Sequence, residues 1–293
     1  MTSHLFQPID LAGLTLANRI IIAPMCQYSA QDGAATDWHM LHLGHLALSG
    51  AGAADPGGHG GWSREGRITP SDLGPVFGRD RAGARPGHPR DPRLFADPGR
   101  DPARPCRPQV VEPAAMGGAG SRLPLAEGGL GGRAPPRAVP LHASEEAPIA
   151  LDRAGLVRIR DAFVSTARRR ADRIGLDAFE LHGAHGYLLH EFLSPLSNRR
   201  EDSYGGSLEN RMRFPLEVFD AVRAAVPPGK PVGLRVSATD WAENGWDLEQ
   251  TLAFAHALKA RGCDFIHVSS GRPHARPDDP ARAETTRCRS RPR

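Results

Sequence analysis

This 293-residue chain has no stretch near the roughly 18 consecutive apolar residues that a membrane-spanning helix needs. Met1 to Asp10 also lacks the basic-then-apolar order of a secretory leader. A cytoplasmic protein with no membrane partner is expected. The four cysteines, Cys26, Cys106, Cys263 and Cys288, lie far apart with no CxxC pair, which argues against a zinc site or a disulfide framework. Lysine occurs only at Lys230 and Lys259, so the net charge of +4 is carried almost wholly by arginine. That balance permits an acidic partner such as nucleic acid. Aromatic residues for base stacking are scarce, however, and between 53 and 142 they are Trp62, Phe77 and Phe95 alone. No specific nucleic-acid recognition is expected.

The composition is uneven along the chain. Residues 53–142 hold 17 Gly, 15 Pro and 13 Arg, half of the 90 positions, and only 14 residues from Ile, Leu, Val, Phe and Met. That apolar share is below the floor of roughly 20% for segments able to bury a core. Such a segment is either a natural disordered insert or the product of a shifted reading frame, since GC-rich codons read out of frame yield mainly Gly, Ala, Arg and Pro. The chain thus divides into an ordered 1–52, an anomalous 53–143, an ordered 144–271 and an Arg/Pro-rich tail, 272–293.

The ordered parts alternate strand and helix. Arg19 to Ala23 is a short apolar run ended by Pro24, the pattern of a strand buried on both faces. Asp152 precedes Leu156, Ile159, Phe163, Ala167, Ala171 and Ile174, whose spacing predicts an amphipathic helix. Asp177 to His182 alternates Phe179 and Leu181 with Glu180 and His182, as a strand does. Ser207 opens a helix through Val226 with Pro215 as an expected irregularity, Pro231 to Ala238 is a strand, Asp247 caps a further helix and Cys263 to Val268 is strand-like again. Such βα units predict a parallel sheet. The polar residues of interest fall at or just past strand ends, as in a (β/α)8 barrel, and no strand is followed by the GxGxxG turn of a dinucleotide-binding sheet.

His182-Gly183-Ala184-His185-Gly186-Tyr187 is the densest chemical candidate. Two imidazoles separated by two small residues can converge on one carbonyl or nitro oxygen and polarise it, with the Tyr187 phenol as a proton donor. The same residues fit histidines satisfied by loop carbonyls, or a metal site with a third ligand such as Glu191. Arg235 sits on an inward strand face, where its charge requires an anionic partner: either Glu180 on another strand or a ligand. Cys26 follows the first strand, where a solitary thiol is more often a small packed residue than a reactive one, and Tyr28 equally suits loop packing or contact with a ligand. The polar run Ser194 to Gly206 reads as an ordered surface loop over the site.

Together these residues identify a resemblance. Asn18-Arg19-Ile20, Ala23-Pro24-Met25-Cys26-Gln27-Tyr28 and the long block His182 to Phe214 resemble the old yellow enzyme family of FMN-dependent NADPH dehydrogenases, and Cys26 with Tyr28 resembles its thermophilic-type, xenobiotic-reductase-like branch. The resemblance covers 1–52 and about 144–271. It implies a (β/α)8 TIM barrel in which Ala23, Pro24, Met25, Cys26 and Arg235 contact FMN and Tyr28 contacts substrate. It further implies that His182 and His185 bind the substrate oxygen and that Tyr187 supplies a proton. The implied reaction is ping-pong: NADPH or NADH reduces FMN, and an α,β-unsaturated carbonyl or nitro compound is then reduced. Self-association is implied by family analogy alone.

The family pattern also requires strands that are hard to find here. The first, fourth, fifth and sixth are recognisable, whereas the Gly/Pro/Arg segment stands where the second and third belong and the tail replaces the seventh and eighth. Four strands of eight cannot close a barrel. The expectation is an incomplete barrel that retains FMN poorly, at most a charge-mediated binder of acidic partners.

Overall fold

The computed structural model describes residues 3–25, 27–31, 35–54, 109–114, 151–173 and 176–270, with 54, 109–114 and 173 described by their backbone. Their centre is a parallel sheet of six strands in chain order. These are β3 (Ile21–Ile22), β4 (Ala53–Ala54), β5 (Gln109–Ala114), β6 (Ala178–Gly183), β7 (Val232–Ser237) and β8 (Phe265–Ser269). Every neighbouring pair is parallel, and consecutive parallel strands that never skip a neighbour form the wall of a barrel. Ahead of it, β1 (Ile9–Leu11) and β2 (Leu14–Leu16) form an antiparallel hairpin, which the strand-and-helix pattern did not reveal. Its turn is Ala12-Gly13, both at positive φ.

The second and third barrel strands, for which the sequence offered no candidate run, are both present as β4 and β5. Only two residues of β4 pair, which needs no apolar run, and β5 is built on Val110 and Val111 inside the Gly/Pro/Arg segment. Backbone hydrogen bonding to a neighbour, rather than composition, makes them strands. The positions of the seventh and eighth strands, and the tail 272–293, lie outside the described residues. The first strand is shorter than the run Arg19 to Ala23, and Ile21 is 42% exposed rather than buried on both faces. Pro24 has no N–H to extend the ladder and so ends the strand.

The helix α1 (Asp37–Ala47) was not expected from the sequence pattern, whereas three helices follow the expected periodicity: α2 (Arg153–Arg173), α4 (Leu208–Ala225) and α5 (Leu248–Lys259). The short α3 (Leu188–Leu193) lies between α2 and α4. Side-chain caps start three of them. Asp152 Oδ1 accepts from Gly155 N at 2.7 Å, Ser207 Oγ from Asn210 N at 3.3 Å and Asp247 Oδ1 from Gln250 N at 2.9 Å. Pro215 lies inside an unbroken α4 and is buried.

Alternation along the strands sorts residues between two layers. Phe179, Leu181, Val232, Leu234 and Val236 face the helices and join Phe163, Phe192, Phe214, Phe219 and Trp246 in the main core. The opposite, barrel-facing side carries Ala178, Glu180 and His182 of β6, Gly233, Arg235 and Ser237 of β7, and Phe265, His267 and Ser269 of β8. Toward the N-terminal ends of the strands this face is apolar: Leu16 of the hairpin packs with Ala53, Ala178 and Phe265. Gly233 has no side chain because a Cβ there would collide with the Phe265 ring. The polarity therefore rises toward the C-terminal strand ends, where barrel sites are built.

Candidate functional site at the C-terminal strand ends

The site starts where β6 stops. His182 is buried at 2% exposure, and the chain then turns through His185 and Gly186, both left-handed with φ of 58° and 81°. This turn folds the motif back on itself. The His182 and His185 rings meet edge to face with centroids 5.0 Å apart, and the Tyr187 ring lies 4.9 Å from His182. Two serines on neighbouring strands hold His185. Its backbone N–H donates to Ser237 Oγ at 3.0 Å, and its Nε2 is 2.6 Å from Ser269 Oγ. Ser237 and Ser269 are register partners at the ends of β7 and β8, so the sheet itself sets the clamp.

Arg235 is the register neighbour of His182 on one side and His267 on the other. The two partners open to it in the sequence are now distinguished. Glu180 Oε2 is 3.0 Å from His267 Nδ1, reaching diagonally across β7. Arg235 Nη1 instead donates to the Pro24 carbonyl at 3.3 Å, and its buried Nε has no hydrogen-bond partner among the described residues. The segment after β3 is thereby tied to the arginine. Pro24 is buried, whereas Met25 is 67% and Tyr28 57% exposed, with Tyr28 in the left-handed region at φ 51°. Ala23 lies between β3 and Pro24; Cys26 lies outside the described residues.

The structure gathers His182, His185 and Tyr187 into one cluster and Arg235 with Pro24 into another on adjoining strand ends. Among the described residues no group of three His, Cys, Asp or Glu is placed to hold a metal ion. Glu191, the sequence's third-ligand candidate, is fully buried in α3, and neither carboxylate oxygen has a partner there among the described residues. Burial pushes its pKa well above the ordinary carboxylate range. The resulting penalty is absent below about pH 4.3, where the unfolded carboxyl is also protonated, and grows as pH rises toward the folded-state value. Glu191→Gln is therefore expected to raise the thermal midpoint at neutral pH, with the gain vanishing by about pH 4. An equal gain at both pH values, read by calorimetry, contradicts this.

The run Ser194 to Gly206 is a loop, as its polarity suggested, but only its second half lies at the surface. Ser194, Ser197 and Asn198 are buried because their side chains tie the backbone: Ser197 Oγ donates to Glu191 O at 2.9 Å, and Asn198 Nδ2 to Phe192 O and Tyr204 O at 2.8 Å each. Sequence reasoning also missed three polar residues near the motif. His267 is hidden in an apolar strand run, while His190 and Asp240 show no local pattern connecting them.

Parallel strands in barrel order, with a histidine pair, a phenol and an arginine at their C-terminal ends, define a (β/α)8 barrel protein with a site suited to polarising an oxygen and holding negative charge. The model of the NADH:flavin oxidoreductase / NADH oxidase family matches residues 135–290. A NADH:flavin oxidoreductase of Gibberella zeae is 36% identical over 295 residues, covering 93% of this chain and 68% of its own length. The NADPH dehydrogenase of Bacillus subtilis is 35% identical over 285 residues, with coverages of 92% and 74%. Morphinone reductase superposes with a TM-score of 0.71 at 27% identity, covering 90% of this chain and 71% of that one. The chain belongs to the NADH:flavin oxidoreductase / NADH oxidase family, the old yellow enzyme group of (β/α)8 oxidoreductases. It is an oxidoreductase. The family match begins inside the Gly/Pro/Arg segment and continues into the Arg/Pro-rich tail. Among the described residues no helix is long and apolar enough to cross a membrane.

Proposed function

We propose that the chain is an FMN-dependent NAD(P)H oxidoreductase that reduces α,β-unsaturated carbonyl or nitro compounds in a ping-pong cycle. The observation that carries this reading is the convergence of His182, His185 and Tyr187 beside the Arg235–Pro24 contact. The donor set suits FMN: the buried Arg235 Nε has no partner among the described residues and could donate to an acceptor on the flavin ring. Ala23, Pro24, Met25, Cys26 and Arg235 would hold the cofactor. When bound, FMN accepts hydride from the nicotinamide and passes it on.

The chain's own groups do the remaining work. His182 and His185 hydrogen-bond the substrate's carbonyl or nitro oxygen and draw negative charge onto it as hydride arrives at the β-carbon. Tyr187 delivers a proton to the α-carbon. Tyr28, exposed on the segment after β3, contacts the substrate. Arg235 would stabilise negative charge on the reduced flavin, and Glu180 is paired with His267 rather than neutralising it.

The test is direct. Protein purified with added FMN is expected to stay yellow through gel filtration and to oxidise NADPH or NADH in the presence of 2-cyclohexenone under nitrogen. Colourless protein with neither flavin absorbance nor enone-dependent oxidation would overturn the proposal in favour of an inactive family member.

A further inference from the structure

We infer that Asp240 and His190 form a positioning chain that sets the His185–Gly186–Tyr187 turn, and so the placement of the substrate-binding histidine and the proton donor. This rests on the function proposed above for those two side chains. The inference follows from donors and acceptors. Gly186 N–H donates to His190 Nδ1 at 2.9 Å, a buried bond, and an amide N–H cannot accept. His190 Nδ1 must therefore be without a proton, and a neutral ring then carries its hydrogen on Nε2. That nitrogen lies 2.9 Å from Asp240 Oδ1, in a bent rather than collinear approach, and both side chains have no exposure. Asp240 is itself held from behind: Oδ2 accepts from Ser194 Oγ at 2.6 Å and from Trp246 N at 2.8 Å.

The chain thus runs from the loop after β7, through α3, to a single backbone amide of the catalytic turn. The choice of that amide is informative. Gly186 follows His185, both are left-handed, and the turn has no sheet ladder to hold it there. The Ser237 contact fixes one end at His185 N, and His190 fixes the next amide. A carboxylate facing Nε2–H selects the tautomer that leaves Nδ1 open to accept, the arrangement that second-shell carboxylates impose on functional histidines. Both residues act through the backbone amide of Gly186.

Two substitutions separate the halves of the chain. In His190→Asn the side-chain oxygen takes the place of Nδ1 but cannot reach Asp240; in His190→Gln the amide nitrogen takes the place of Nε2 and the Gly186 acceptor is lost. Side-chain nitrogen NMR of the full chain is expected to show His190 as the Nε2–H tautomer. Gly186 amide exchange is expected to rise about tenfold in His190→Gln and in Asp240→Asn and to stay near wild type in His190→Asn, consistent with the net worth of one hydrogen bond. In the flavin-loaded protein, His190→Gln and Asp240→Asn should raise KM for 2-cyclohexenone more than they lower kcat, with His190→Asn closer to wild type. A Nδ1–H tautomer, or Gly186 exchange indifferent to both His190→Gln and Asp240→Asn, overturns the chain. Faster exchange with unaltered KM and kcat overturns its positioning role. If the wild-type protein reduces no enone, the proposed function fails by itself, while tautomer and exchange still decide whether Asp240 and His190 hold the turn.

Discussion

Replacing His182 or His185 by alanine is expected to lower kcat/KM for an enone by about two to three orders of magnitude, the usual cost of removing one donor to a developing oxyanion. The geometry makes the two rings interdependent. With centroids 5.0 Å apart and planes at 76°, they approach from two directions, and neither can swing across to replace the other. His185 is further restrained by Ser237 at its backbone N–H and by Ser269 at its ring, so its loss leaves the Ser269 hydroxyl without the ring it holds while the Ser237 bond to the backbone remains. His182→Asn, which keeps a donor, should recover part of the loss. The double substitution should cost far less than the product of the single ones, because the rings act on one oxygen as a unit. Steady-state kinetics with 2-cyclohexenone, alongside circular dichroism to verify folding, measures this. A loss below tenfold for both single variants would remove the histidines from the chemistry.

The largest stability effect is expected at Trp246, the bulkiest side chain with no solvent exposure among the described residues. Its indole Nε1 donates to Thr251 Oγ1 at 2.6 Å, its ring meets Phe254 edge to face at 6.2 Å, and the Arg211 guanidinium lies 5.8 Å over it. It joins the β7 loop, α4 and α5 at one point. Trp246→Ala should cost about 3–5 kcal/mol through lost burial and an unfilled cavity, a large fraction of the 5–15 kcal/mol that holds a typical domain. Trp246→Phe keeps the ring stack and loses the hydrogen bond, for about 1–2 kcal/mol. Urea unfolding followed by tryptophan-independent circular dichroism reads both. An alanine variant within 1 kcal/mol of wild type, to within the roughly ±10–15% error of extrapolation, would show that the site collapses around the gap.

The two expectations connect. The backbone N–H of Trp246 donates to Asp240 Oδ2, and Asp240 faces His190, so the core that supplies stability also supports the turn that presents His185 and Tyr187. A residue can therefore influence the site with no contact to substrate. Such influence travels through a few buried polar contacts: Asp240 Oδ2 accepts from Ser194 Oγ and Trp246 N, and Oδ1 lies 2.9 Å from His190 Nε2.

How much of this was legible in the sequence depends on range. Helices α2, α4 and α5 were readable because their caps and their three-to-four spacing are local, and β6 and β7 because alternation is local too. The histidine pair, Tyr187, Arg235 and the segment from Ala23 were readable because each sits at a strand end whose position the pattern predicts. Strands β4 and β5 were not. Parallel pairing is made with a distant neighbour, so two alanines or a pair of valines amid Gly, Pro and Arg become strands through backbone bonds that leave no mark on composition.

The amino-acid sequence by itself determined the alternation of strand and helix, the side of the sheet on which polar groups gather, and the presence there of residue types suited to an oxygen and a negative charge. Only the tertiary structure decided who pairs with whom. It placed Glu180 on His267 rather than on Arg235, turned Arg235 to the Pro24 carbonyl, buried the Ser194 to Asn198 stretch and linked His190 to Asp240. The physical reason is that a buried charge or hydrogen-bond donor must find a partner wherever the fold places one, and those partners lie 50 to 211 positions apart in all three linkages.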